Sequence, residues 1–150
     1  MFACLALIFS YVEALIPFNA GIPGVKLGLA NLVIIIALYE MNFRYALAVN
    51  LIRIFISGLL FSGVFGTIYS LAGGLLSLIV MWLLKKTGLF SMAGGVAHNM
   101  GQLLAAAAAV SDLHMFLYFP ILMWSGLVTG ILIGITACVI DSKIPKSLFR

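Results

Sequence analysis

Three polar constellations stand out in a chain whose residues are 65% hydrophobic. The first is Asn50, Arg53 and Ser57, whose spacings of 3 and 4 put them on one face of a helix. A guanidinium beside an amide and a hydroxyl has the donors to hold a carboxylate or a phosphate. The second is His98, Asn99 and Gln102, on one helical face of an apolar stretch. In a bilayer such side chains need partners inside the protein. They are expected to line a cavity; hydrogen-bonded core residues are the plainer alternative. No second His or Cys lies at ligand spacing on that helix, so no metal is expected.

The third constellation is the segment Ile22-Pro-Gly-Val-Lys-Leu-Gly-Leu-Ala-Asn31. Pro23 and Gly24 predict a turn, Lys26 follows it, and a helix is predicted to begin near Leu27. The free N–H groups and positive dipole end of that helix, with Lys26 beside them, suit an anion. The alternative is a connecting turn whose lysine snorkels to the headgroups. Asn31 closes the segment, and Asn19 in the preceding loop joins the substrate-binding candidates. Glu13 and Arg53 are ionisable groups inside predicted spans, where each costs roughly 2.5–3.5 kcal/mol at a helix centre on insertion scales. They are expected to face a cavity, or else to pair and fix helix register.

The elements that must position these residues are membrane helices. Only 8% of the chain is charged and its mean hydropathy is +1.27, against about 25% charged in a soluble domain. A spanning helix takes about 20 residues, so six of them occupy most of the 150 residues. The predicted fold is an all-α membrane protein, a six-transmembrane-helix bundle forming a single integral membrane domain over residues 1–150. The spans are placed at about Phe2–Pro17, Leu27–Glu40, Arg44–Gly63, Gly66–Leu84, Met92–Val110 and Phe116–Ile140. The first is short, which leaves room for a longer natural N-terminus. It lacks a basic leader and carries Glu13, so it is expected to stay rather than be cleaved.

With both termini in the cytoplasm, Arg44, Lys85, Lys86, Lys143, Lys146 and Arg150 all fall on the inner side and Lys26 alone falls outside. The expected location is a cytoplasmic membrane crossed several times. Cys4 and Cys138 sit in apolar runs with no metal spacing and are expected to be small hydrophobes. Small residues form two stripes, Ala6, Ser10 and Ala14 on span one and Gly126, Gly130 and Gly134 on span six. Both allow close backbone approach, either within the bundle or against a partner subunit; the second use makes them docking candidates.

Several functions are excluded. There is no G-x-x-x-x-G-K-[ST] and no GxGxxG, so ATP chemistry must come from a partner chain. The only aspartates, Asp112 and Asp141, lie 29 residues apart. A magnesium-dependent diphosphate enzyme needs clustered carboxylates, so no catalysis and no cofactor are expected. Nothing in the charge pattern points to nucleic acid.

Five strings carry a resemblance: Ser10-Tyr-Val-Glu-Ala-Leu-Ile-Pro-Phe18, Pro23-Gly-Val-Lys-Leu-Gly-Leu-Ala-Asn31, Asn50-Leu-Ile-Arg53, Tyr69-Ser-Leu-Ala-Gly-Gly74 and His98-Asn-Met-Gly-Gln-Leu103. In this order they resemble the bacterial Gx transporter family, also labelled heptaprenyl diphosphate synthase component I. That family is similar to the substrate-binding S components of energy-coupling factor transporters, six-helix proteins that capture a small molecule and dock on a coupling subunit driven by two ATPases. The resemblance implies that Glu13, Lys26, Asn31, Asn50, Arg53, His98, Asn99 and Gln102 are the characteristic polar set. S components often carry Ala-xxx-Ala on the first helix, where this chain reads Ala6-xxx-Ser10-xxx-Ala14.

The resulting expectation is a substrate-binding subunit of an importer for a small anionic or polar molecule, with a coupling subunit, ATPases and the lipid bilayer as partners. Lys26 and Arg53 would supply positive charge and Glu13 would balance one of them. The alternatives are a non-catalytic accessory subunit in isoprenoid or quinone synthesis, and a stand-alone secondary transporter with Glu13 or His98 as proton site.

Overall fold

The computed structural model describes residues 1–15 and 28–143. These fold as α1 (Phe2–Leu15), α2 (Leu29–Glu40), α3 (Phe43–Ser57), a π-helical turn (Gly58–Ser62), α4 (Gly63–Leu83), α5 (Phe90–Val110), a 3₁₀ segment (Leu113–Tyr118) and α6 (Phe119–Lys143), with no strand among the described residues. The protein is all-α.

Local chemistry sets the helix ends. Asn42 caps α3, its side chain accepting from the Tyr45 N–H at 3.1 Å. Gly28 precedes α2 with φ 77°, a left-handed conformation in which glycine meets no steric penalty. At the other end of α2, Lys85 Nζ donates to the Leu38 carbonyl at 2.7 Å, and the Tyr39 hydroxyl donates to the Lys85 carbonyl at 2.8 Å. A cation on the last carbonyls of a helix satisfies groups the helix leaves open, so Lys85 is more than a topological charge. Asp112 starts the 3₁₀ segment by accepting from the His114 N–H, a bond that holds its carboxylate below the usual range.

α2 lies at the centre. Ala30 and residues 32–38 are all buried, as befits a helix that is apolar on every side, and it packs on α1, α3, α4 and α6. α3 and α4 run antiparallel: Asn50 reaches Gly74, and Gly58 faces Thr67. The reversal falls at the π turn and at Gly63, whose φ is 66°.

The distribution of polarity is inverted relative to a soluble protein. Leu59, Leu60, Val64, Phe65, Trp124 and Ile135 point outward, whereas Asn50, Arg53, Ser77, Ser91, Asn99 and Gln102 are buried. This is a membrane protein's arrangement. Two continuous helical stretches are long and apolar enough to cross a bilayer, Phe43–Leu83 with 41 residues and His114–Lys143 with 30. The first is the α3–α4 hairpin. α2, at 12 residues, is shorter than the six-span expectation requires, α1 is described over Phe2–Leu15, and α5 carries its polar cluster mid-helix.

The glycine stripe on α6 is spent inside the bundle. A Cβ on Gly126 would lie 2.8 Å from the Gly95 carbonyl oxygen, and one on Gly130 would lie 2.7 Å from that of Ser91. The Gly134 position meets the Ser91 side chain, whose Oγ donates to the Gly130 carbonyl at 2.7 Å. The partner-docking expectation for Gly126, Gly130 and Gly134 is corrected accordingly: these residues are the α5–α6 seam. Ala6 is fully buried in the core and Ser10 Oγ donates to its carbonyl, whereas Ser10 is half-buried and Ala14 is exposed.

The tightest point of the seam gives a prediction. A Cβ on Gly95 would lie 2.2 Å from the Gly126 carbonyl oxygen, a backbone atom that cannot rotate away. Gly95→Ala should cost about 1–3 kcal/mol through overpacking, measured as a lowered unfolding midpoint in detergent. Gly88→Ala, where a Cβ meets nothing within 4 Å, should stay within about 0.5 kcal/mol of wild type.

Candidate functional site

The end of α1, the start of α2, the second half of α3 and the facing stretches of α4 and α5 enclose a cavity of about 80 Å³. A water needs roughly 10–15 Å³ by the same kind of measure, so the space suits several waters or the polar part of a small molecule. Glu13, Asn31, Arg53 and His98 line it, as do the hydroxyls of Ser10, Ser57, Ser62 and Ser70, with Ala14 and Phe61 among the remaining walls.

Arg53 dominates its chemistry. The side chain is 8% exposed. Its Nη2 donates to Asn50 Oδ1 at 2.7 Å, and Asn50 Nδ2 donates in turn to the Gly74 carbonyl at 3.0 Å. Gly74 makes room for this relay: a Cβ there would stand 3.1 Å from Asn50 Nδ2. Arg53 Nε is buried and has no hydrogen-bond partner among the described residues. A buried guanidinium whose one side-chain partner is a neutral amide, with a donor left open, is a costly arrangement for structure alone.

Glu13 lies in the same cavity. Its carboxylate accepts from the Gly28 N–H, which ties the end of α1 to the start of α2 and places negative charge at a helix N-terminus, where it is favoured. Glu13 and Arg53 act on each other electrostatically but make no contact ion pair. The ion pair among the described residues is His114–Asp112, at the surface.

The remaining sequence candidates are distributed differently. Asn50 stands behind Arg53 and positions it. Asn99 Nδ2 donates to the Leu122 carbonyl at 2.7 Å and to Ser125 Oγ at 3.1 Å, so it joins α5 to α6. Gln102 is buried against Gly73 of α4. Neither reaches the cavity. One residue step turns a helix by about 100°, which separates Asn99 from His98. Asn19 and Lys26 lie outside the described residues.

Sequence reasoning missed Phe61, Ser62 and Ser70. A signal existed for Ser70: with Gly74 and Ser77 it forms a small, polar stripe at spacings of 4 and 3 on α4. Among the described residues no three His, Cys, Asp or Glu side chains come together to hold a metal ion. Among the described residues the cavity therefore presents one buried cation, one carboxylate and several serine and asparagine side chains, a set suited to binding a polar molecule.

Neither the curated proteins nor the solved structures returned a match. A family model, described as heptaprenyl diphosphate synthase component I, matches residues 2–140. That match runs through every helix that builds the cavity, and the chain belongs to the heptaprenyl diphosphate synthase component I family.

Proposed function

We propose that this chain is the substrate-binding subunit of a bacterial inner-membrane importer, taking up a small molecule that carries a carboxylate or similar acceptor, and that partner ATPases supply the energy. The observation that carries the reading is Arg53, a guanidinium that is buried in a membrane bundle and lines a polar cavity together with Glu13 and Asn31. Ionisable groups kept inside a membrane protein mark substrate paths by default. The chain has no phosphate-binding loop of its own.

The family's name favours a second reading, a non-catalytic membrane subunit that accompanies heptaprenyl diphosphate synthesis. Both readings take this chain as non-enzymatic, because diphosphate chemistry of that kind uses magnesium held by grouped carboxylates. Purification from native membranes in mild detergent separates them. A membrane coupling subunit with ATPases is expected to travel with this chain; a soluble prenyltransferase in their place would overturn the importer.

The proposal includes six crossings with both termini in the cytoplasm. Lys86 is the better reporter of the inner side than Lys85, because Lys85 is tied to Leu38. In a Cys4→Ala, Cys138→Ala background, Lys86→Cys should resist a membrane-impermeant maleimide in intact cells and react after permeabilisation. Labelling of intact cells would invert the topology.

A further inference from the structure

Among the described residues, the charges that line the cavity are Arg53 and Glu13, one of each sign, and they make no contact ion pair. Arg53 is bonded to neutral Asn50, and Glu13 is bonded to the backbone N–H of Gly28. The two do not close on each other, although both border the same 80 Å³ space. In a low-dielectric interior such a pair either collapses into contact or is bridged. The fold prevents collapse on both sides: the Asn50–Gly74 relay holds Arg53, and α2's N-terminus holds Glu13.

The complement of that arrangement is a molecule with both signs. A simple anion gains Arg53 but faces the Glu13 carboxylate, and a simple cation gains Glu13 but faces Arg53. Each leaves the cavity with a net charge out of water. A carboxylate and an ammonium on one short frame satisfy both walls and leave the site neutral. The carboxylate would face the Arg53 guanidinium, and the ammonium would face the Glu13 carboxylate. The nearby serine side chains and Asn31 are neutral; Ser10 and Ser57 donate to carbonyls of their own helices and keep their lone pairs for a ligand donor.

We infer that the cavity's occupant is a small zwitterion of the amino-acid kind, with Arg53 and Glu13 as the two poles that recognise it. The inference rests on the substrate-binding reading above and narrows it.

The test is equilibrium binding to the full chain in detergent, with glycine, alanine, β-alanine, γ-aminobutyrate and glycine betaine as zwitterions, and acetate, inorganic phosphate and methylammonium as single-charge probes. At least one zwitterion is expected to bind tenfold or more tightly than every single-charge probe. Glu13→Gln should erase that preference, so that acetate binds as well as the zwitterion. Arg53→Lys, which keeps the charge and loses the planar fork of guanidinium donors, should weaken the zwitterion and preserve the preference, and monodisperse elution of each variant checks its fold.

Acetate or phosphate binding as tightly as any zwitterion, in an Arg53-dependent way, would overturn the zwitterion and leave the substrate-binding site standing. So would an anion-selective wild type that turns zwitterion-selective in Lys26→Gln, since a second cation would then set the charge. Absence of binding by every probe would overturn the zwitterion, and co-purification with ATPases would then decide the importer separately.

Discussion

Arg53→Gln is expected to cut affinity for the cavity's ligand by roughly ten- to a hundredfold while leaving the unliganded protein at least as stable as wild type. The first half follows from the value of a hydrogen bond to a charged group, about 1.5–3 kcal/mol, at 1.4 kcal/mol per factor of ten. The second half follows from what Arg53 lacks. Its guanidinium is desolvated, its side-chain partner is a neutral amide, and Nε has no acceptor. Replacing such a charge by a neutral side chain of similar length removes a desolvation cost.

Glutamine can still donate toward Asn50 Oδ1, and Glu13 keeps its bond to Gly28 whichever residue stands at position 53. A purely structural Arg53 would give the opposite pattern, with a lowered unfolding midpoint. Binding and thermal unfolding on the same preparation read both signs, and a strongly destabilised variant would move Arg53 from the site to the scaffold.

The sequence made the helices legible because their apolar runs are long and their breaks are chemical. α5, expected from Met92 to Val110, runs Phe90–Val110; α3, capped by Asn42, begins at Phe43, one residue before the expected Arg44 start. The α3–α4 reversal was harder to place. No proline or polar run marks it, and the turn depends on a π-helical stretch and on the positive φ of Gly63, features that periodicity does not encode.

Legibility within the site followed a similar rule. Arg53, Glu13 and His98 were readable because each is expensive in a bilayer wherever it sits. Asn99 and Gln102 were equally conspicuous, but polarity says only that a partner is needed. Whether the partner is a ligand or the Leu122 carbonyl depends on the rotation of α5 between α4 and α6. The glycines were ambiguous for the same reason. A stripe permits close approach, and only the fold reveals that the approaching backbone is Gly95 and Ser91 of the same chain.

Asn50 offers the sharpest test of how the site is built. It is almost completely buried and bonds in two directions, to the Gly74 carbonyl and to Arg53. Asn50→Leu removes both bonds and leaves the guanidinium without that partner in a dry interior. The expected loss is about 2–4 kcal/mol, combining a bond to a charged group with a neutral one. Arg53→Met alone should cost far less, since the amide it abandons is neutral and still bonded to Gly74. The double variant, Asn50→Leu with Arg53→Met, should recover much of the single Asn50 loss, because no unpaired charge remains buried. A coupling of about 1.5–3 kcal/mol in the double-mutant cycle would establish that Asn50 acts through Arg53. Additive losses would make Asn50 an independent α3–α4 clamp, and would leave Arg53 held in the cavity by some other contact.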